Sequence, residues 1–571
     1  MKKTNPVAPS QIPLTRGRSR GMLFKRVVLA AWLAQAVVTS TWAESLTQLA
    51  PFPQFYPTNS KGNYLQSTND YLGDRVALQR QHLDNRFCAG ESASLSTNEL
   101  MLSDWLQQTL NREYDIQRMR SGFVSTLPFY AARSLIRTSA VFRLIQKMPK
   151  GGLLHVHLGA MGRMDWIVSN ALVLPNCSVK WTEPPTPDRG TLAFIAPADL
   201  PHHPGFVPVA QLAKDLGTNF SNMLRAELTL GPEDRGPDRI WSRFGAIFPK
   251  LNDFVRNRVV FTNYLTDAFE TLWNDGVSYV EIRDSLAPLS GPGGPGIDAE
   301  ILTEIVAVRD RMQAAHPGFD CRVIVADVRG SKNLLNNLLR TVQLRQQFAN
   351  FIVGFDLIGE EDGSPNDTTL RRILDLLPIL HDLETKWGNS NLVPLGTAVA
   401  GDGEKLAKRK DLPYYLHDGE SLWPDNENMF DAALLRAPRI GHGFNLFRFP
   451  TLYAVLKANN TALEVCPISN QLLDLTPDLR THPASGYMNS GIQCVLASDD
   501  PAIFGNDGLS YDFWEALMAW NLDLAALKKL ARNSIEFSGM ERPERDALQK
   551  AWECQWNSFI EQVQPLIRSK E

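Results

Sequence analysis

Hydrophobic and polar positions alternate along this chain in two registers. Eight short apolar runs read as buried strands: Gly151–His157, Val277–Arg283, Cys321–Asp327, Phe351–Gly359, Leu412–Glu420, Arg439–Gly443, Ala462–Asn470 and Gln493–Asp500. Segments with apolar residues at helical spacing lie between them. Phe254–Trp273 is one, stopped by Gly276, and Thr451–Lys457 is another, preceded by Pro450 in a helix-starting position. Strand and helix in alternation signal a parallel sheet. Eight such units predict an α/β fold closed as a (β/α)8 TIM-type barrel, with an open doubly wound sheet as the alternative.

Two regions break this alternation. Residues 44–147 carry no strand pattern; Leu100–Leu110 and Phe129–Ile145 have helical spacing, with Leu135, Ile136, Phe142 and Ile145 on one face. They predict a helical N-terminal extension, leaving 148–571 as the barrel. The stretch Thr182–Asp238 is rich in Pro and Gly, which suits an insertion at about 178–240, after strand one and over the barrel mouth.

The first 43 residues read as an address. Arg16, Arg18, Arg20, Lys25 and Arg26 precede the apolar run Val27–Val38, and Thr41-Trp42-Ala43 resembles a cleavage site. The expectation is a signal peptide over 1–43 and an exported chain, periplasmic or secreted. An uncleaved anchor is the alternative, against which the run falls short of the ~20 residues that span a bilayer. Removing 1–43 takes away seven basic residues and no acidic one, leaving 51 against 62 and a formal charge of −11. Nucleic-acid or anionic-membrane binding as the main activity is thereby disfavoured, because both need surplus Lys and Arg. The six cysteines are scattered, with no CxxC, so no disulfide pairing is assigned.

Candidate chemistry falls at the C-terminal ends of the strands, where a barrel builds its site. Strand one ends in His155-Val156-His157, and strand alternation points both imidazoles into the barrel. Strand five ends in His417 and Glu420, strand six in His442, strand eight in Asp499-Asp500. Four of the ten histidines thus sit at predicted strand tips. Three imidazoles and one carboxylate (His155, His157, His417, Asp499) make a site suited to Zn2+, with room for a bound water. Strand four offers no lysine to bridge two metals, so one ion per chain is expected.

Taken jointly, MPKGGLLHVH with MDWIVSN, WSRFGAIF, GFDLIGEED, LHDGES, RIGHGF, LEVCPISNQ, and SDDPAIFG with GLSYDFW resemble the adenosine deaminase superfamily, and within it the secreted, growth-factor-type adenosine deaminase 2 branch. The resemblance covers roughly residues 145–540. It implies a metal-dependent hydrolase that deaminates adenosine or 2′-deoxyadenosine at purine C6, giving inosine and ammonia. It makes His155, His157, His417 and Asp499 the zinc ligands and Glu420 the acid that protonates the purine ring. His442 orients and deprotonates the water, Asp500 accepts a hydrogen bond from the far side of the purine, and the Gly359 N–H donates to another ring nitrogen. Trp241 belongs to a stretch that closes over the substrate, and a homodimer through the N-terminal helices is implied. The family's aspartate after HxH is replaced by Leu158-Gly159, and its HAGE reads His417-Asp418-Gly419-Glu420. Alternatives are a related amidohydrolase on another small substrate and a nucleoside-binding or signalling protein with little turnover.

Overall fold

The computed structural model describes residues 68–120, 122–180, 191–236, 239–294, 296–364, 366–376 and 412–568, so the address at 1–43 lies outside the described residues. The chain divides into Met1–His82 and Leu83–Glu571. Within the second unit, β1 (Gly151–His157) is followed by the short strands β2 (Cys177–Lys180), β3 (Thr191–Phe194) and β4 (Phe206–Pro208). Then come β5 (Val277–Asp284), β6 (Asp320–Val328), β7 (Ile352–Ile358), β8 (His417–Asp418), β9 (Arg439–His442), β10 (Ala462–Val465) and β11 (Gln493–Leu496).

Parallel pairing gives two four-stranded sheets, β1-β5-β6-β7 and β11-β10-β9-β8. Two parallel bridges join them, Val156 with Asp499 and Phe355 with Tyr414. The first seam is double: His157 N–H donates to Asp499 O at 3.2 Å and Asp499 N–H to His155 O at 3.1 Å. With both seams made, eight strands close into the TIM-type barrel, and a continuous apolar core fills the layer between strands and helices.

Several elements end sooner than their patterns predict, each for a local reason. Of Leu412–Glu420 only His417–Asp418 forms a ladder, with Tyr414 in a single bridge. Pro413 has no N–H to give, and further along Glu361 takes the Gly419 and Glu420 N–H groups at 3.1 and 2.6 Å. Ala462–Asn470 stops at Val465, because Pro467 opens the helix Pro467–Leu472. Gln493–Asp500 stops at Leu496, and Asp499 takes a left-handed backbone, φ 60°.

Helices also split. Phe129–Ile145 becomes Phe129–Ile136 and Ala140–Lys147, with Ser139 capping the second, and Leu135 faces solvent at 42% exposure rather than joining the buried face. Phe254–Trp273 is divided where Asn257 caps Arg258–Asn274, and Gly276 follows that helix in a left-handed conformation, φ +81°, where a Cβ would strike Met148 O. The Pro-rich stretch after β1 holds ordered pieces: an antiparallel sheet β3-β2-β4 and the helices Val209–Leu216 and Thr218–Leu228. It is tied to the loops after β10 and β11 by Leu230 N–H to Ile503 O and by Arg235 to Asp474. All six cysteines are free.

Candidate active site

At the C-terminal mouth of the barrel β1 presents His155 and His157, and the β8 and β11 ends present His417 and Asp499. One ligand atom from each lies within 4.8 Å of the others. All four side chains are buried. His155 Nδ1 stands 2.8 Å from Glu464 Oε2, and His417 Nδ1 stands 2.7 Å from Asp356 Oδ2. A carboxylate can only accept, so each Nδ1 carries the proton and each Nε2 presents a lone pair to the cluster in the neutral ring. His155 Nε2 and His157 Nε2 both lie 3.2 Å from Asp499 Oδ1.

Lone pairs aimed at a carboxylate in a buried space repel unless a cation stands among them. The three imidazoles are pulled in different directions. Burial holds His417 down to about 4 and lowers His157 too. Against its own burial and the charge of Arg283, hydrogen bonds to Asp499 and Glu464 draw His155 upward. Three imidazoles and one carboxylate, two of the imidazoles fixed by Nδ1 bonds to carboxylates, fit a zinc ion in donor type and number. Cys466 lies beside His155, His442 and Asp499, but burial and the neighbouring carboxylates push its thiol far up and keep it protonated.

These ligands are aimed by a charged lattice under the site. Arg283 donates to Asp356 at 2.7 Å and to Glu464 at 2.5 Å, and Arg439 donates to the other oxygen of Glu464 at 2.6 Å and to Glu281. Asp356 and Glu464 are held well below the usual carboxylate range: burial alone would raise both, and His417 with Arg283 for the one, Arg283 with Arg439 for the other, outweigh it. Asp418 turns away from the ligands and bonds Arg329 at 3.1 Å and Thr369 at 2.5 Å, as strand alternation requires.

Glu420 and His442 face one another above the cluster, His442 Nδ1 3.4 Å from Glu420 Oε1. Burial, then the charges of Asp499 and Glu361, push Glu420 well above its ordinary value, which favours the protonated form. Asp500 is raised in the same way, by burial and then by Asp499. Buried atoms without a partner gather here: His155 Nε2, His442 Nε2, Glu420 Oε1 and Asp500 Oδ1. His442 and Asp499 also hold left-handed backbones at φ 60°, a strain of about 1 kcal/mol or more each that the surrounding bonds must sustain.

At the rim, the helix Ile240–Val255 lays Phe248 edge-on to His157, ring centres 6.3 Å apart. Trp241 sits two turns earlier against Phe244, so the aromatic beside the ligands is Phe248. Gly359 directly follows β7, with φ +99°. Where the family has an aspartate after HxH, Gly159 leaves space that the Asn252 carboxamide occupies, Oδ1 lying 2.4 Å from where a Cβ would stand. Glu420, His442, His155, His157, His417, Asp499 and Asp500, each expected at a strand tip, lie together at one mouth. Asp356, Glu464, Arg283, Glu361 and Arg329 were not anticipated, although a lone charge inside an apolar strand run is a signal for Asp356 and Glu464.

Residues 405–552 match the family described as adenosine deaminase. Adenosine deaminase 2 of Sus scrofa is 32% identical over 517 residues, covering 85% of this chain and 95% of that protein. Adenosine deaminase 2 of Dictyostelium discoideum is 30% identical over 507 residues, covering 87% and 88%. Among solved structures, Arabidopsis ADAL complexed with IMP aligns over 73% of this chain and 99% of its own, at 15% identity and a TM-score of 0.50, a likeness of fold alone.

Proposed function

The chain belongs to the adenosine deaminase family, in its adenosine deaminase 2 branch, and is a hydrolytic deaminase; from that premise we propose an exported, zinc-dependent enzyme that converts adenosine or 2′-deoxyadenosine to the inosine product and ammonia. The observation that carries the reading is Glu420, a buried carboxyl raised well above its ordinary value and set 3.4 Å from His442 at the rim of a cluster that suits a cation. His155, His157, His417 and Asp499 would hold the ion, which when bound supplies a water of pKa near 7 as nucleophile.

The chain's own residues then do the following. Attack at C6 puts electron density on ring nitrogen N1, and Glu420 delivers a proton there, lowering the barrier by a share typical of general acids, roughly 10²–10⁴-fold. His442 orients the attacking water through its Nε2, which faces Asp499 at 4.0 Å. Asp500, whose buried Oδ1 has no partner, meets the far side of the purine, and the Gly359 N–H donates to another ring nitrogen. Trp241, Phe244 and Phe248 line the helix that covers the base. Residues 1–43 are the export signal in this reading, and 44–147 the extension through which two copies pair.

Glu420→Ala tests the assignment. Inosine formation, followed by absorbance, falls by about 10²–10⁴-fold while the ion stays bound. Unchanged turnover in the variant would contradict the role of Glu420.

A further inference from the structure

Behind His442 runs a line of buried polar groups that the reaction does not touch. The Ala484 backbone N–H lies 3.1 Å from His482 Nδ1; His482 Nε2 lies 3.0 Å from Asn470 Oδ1; Asn470 Nδ2 lies 3.2 Å from His442 Nδ1. His482, Asn470 and His442 are each at most 3% exposed. Phe444 stands edge-on to the His482 ring at 5.1 Å, and Trp520 covers it at 5.3 Å.

The polarity of this line follows from its first member. A backbone N–H can only donate, so His482 Nδ1 must be the acceptor and its single ring proton must sit on Nε2. That proton needs an acceptor, which places the Asn470 oxygen toward His482 and the Asn470 amide N–H₂ toward His442. The reversed amide would set N–H against N–H. Asn470 therefore donates to His442 Nδ1, and His442 keeps its proton on Nε2, the atom aimed at the ligand cluster.

We propose that His482 and Asn470 are positioning residues forming a tautomer lock, which makes His442 a fixed hydrogen-bond donor to the oxygen of the attacking water rather than the base that takes its proton. This rests on the deaminase reading and narrows the role of His442 within it. Protons balance without His442 changing state: Glu420 gives its proton to N1, one proton of the water leaves with the amino group as ammonia, and the other restores the Glu420 carboxyl. A donor held in place costs no reorganisation when charge develops on the attacking oxygen.

Two measurements on the full, metal-loaded chain test this. With ¹⁵N-histidine labelling, the resonances lost in His442→Gln identify that ring; the lock requires its unprotonated nitrogen to be Nδ1, and a proton on Nδ1 overturns the proposal whether or not adenosine is turned over. In kinetics, His482→Leu removes the donor to Asn470, His482→Gln keeps an N–H at that point, and Asn470→Asp reverses the polarity. The expected result is a kcat loss of roughly tenfold or more in His482→Leu and Asn470→Asp, with KM and bound metal within about twofold, and near-parental kcat in His482→Gln. Equal losses in the two His482 variants would mean packing alone, and parental kcat in Asn470→Asp would overturn the lock. A parent chain inactive on adenosine would instead sink the deaminase reading and leave the spectrum to decide the tautomer.

Discussion

A single carboxylate under a ligand shows how much of this site is set below the mouth. Asp356 accepts from His417 Nδ1 at 2.7 Å, from the His417 backbone N–H at 2.9 Å and from Arg283. It fixes both the direction and the tautomer of the ligand. Asp356→Asn should weaken the hold on zinc by about 10–100-fold, measured by competition with a chelator, because an amide cannot accept all three bonds. Affinity equal to the parent's would show that His417 is aimed by packing alone. The place of His417 at the barrel mouth was legible in the sequence, since a histidine at a strand tip is a visible type in a visible place. Its support was not, because the pairing of Asp356 with His417 crosses from β7 to β8, and sequence pattern carries no register between strands.

At the scale of elements, the strand periodicity was read correctly and β1 keeps its predicted bounds, whereas the runs that form β8, β10 and β11 end early. The ends are decided by hydrogen-bond competition that a pattern does not record, as where Glu361 captures the N–H groups of Gly419 and Glu420. The break at Ser139 is the helical counterpart. Its hydroxyl accepts from Phe142 N–H at 3.1 Å and from Trp514 Nε1 at 3.0 Å and donates to Glu113, so one side chain starts a helix and ties it to Ser510–Ala519. Ser139→Ala should destabilise by about 1–3 kcal/mol, for a lost cap and an indole N–H left unpaired. A lowered urea midpoint with catalysis intact is the expected outcome. An unchanged midpoint would remove the cap from the account.

For the molecule as a whole, the barrel was legible because eight apolar runs separated by helical segments leave few other closures, whereas the sheet within the insertion was hidden by its Pro and Gly content. Buried carboxyls give the fold a pH dependence of its own. Glu515, 1% exposed, is pushed up to about 8 by burial, against an ordinary value near 4.3 in the unfolded chain. The folded state then binds this proton more tightly, so the contribution of Glu515 is fully present below about 4 and is lost as pH rises toward 8. Glu515→Gln should therefore raise Tm at pH 8 by about 1–3 °C relative to the parent and change it little at pH 5. An equal shift at both values would assign the effect to packing.

The central claim is that four side chains from distant strands hold one ion on which catalysis depends. Stripping the purified chain with a chelator and returning zinc in measured steps, while following the conversion of adenosine to inosine, addresses it most directly. The account predicts that activity disappears on stripping and returns in full at one ion per chain. Turnover that survives complete removal of metal, or that needs two ions per chain, would contradict it.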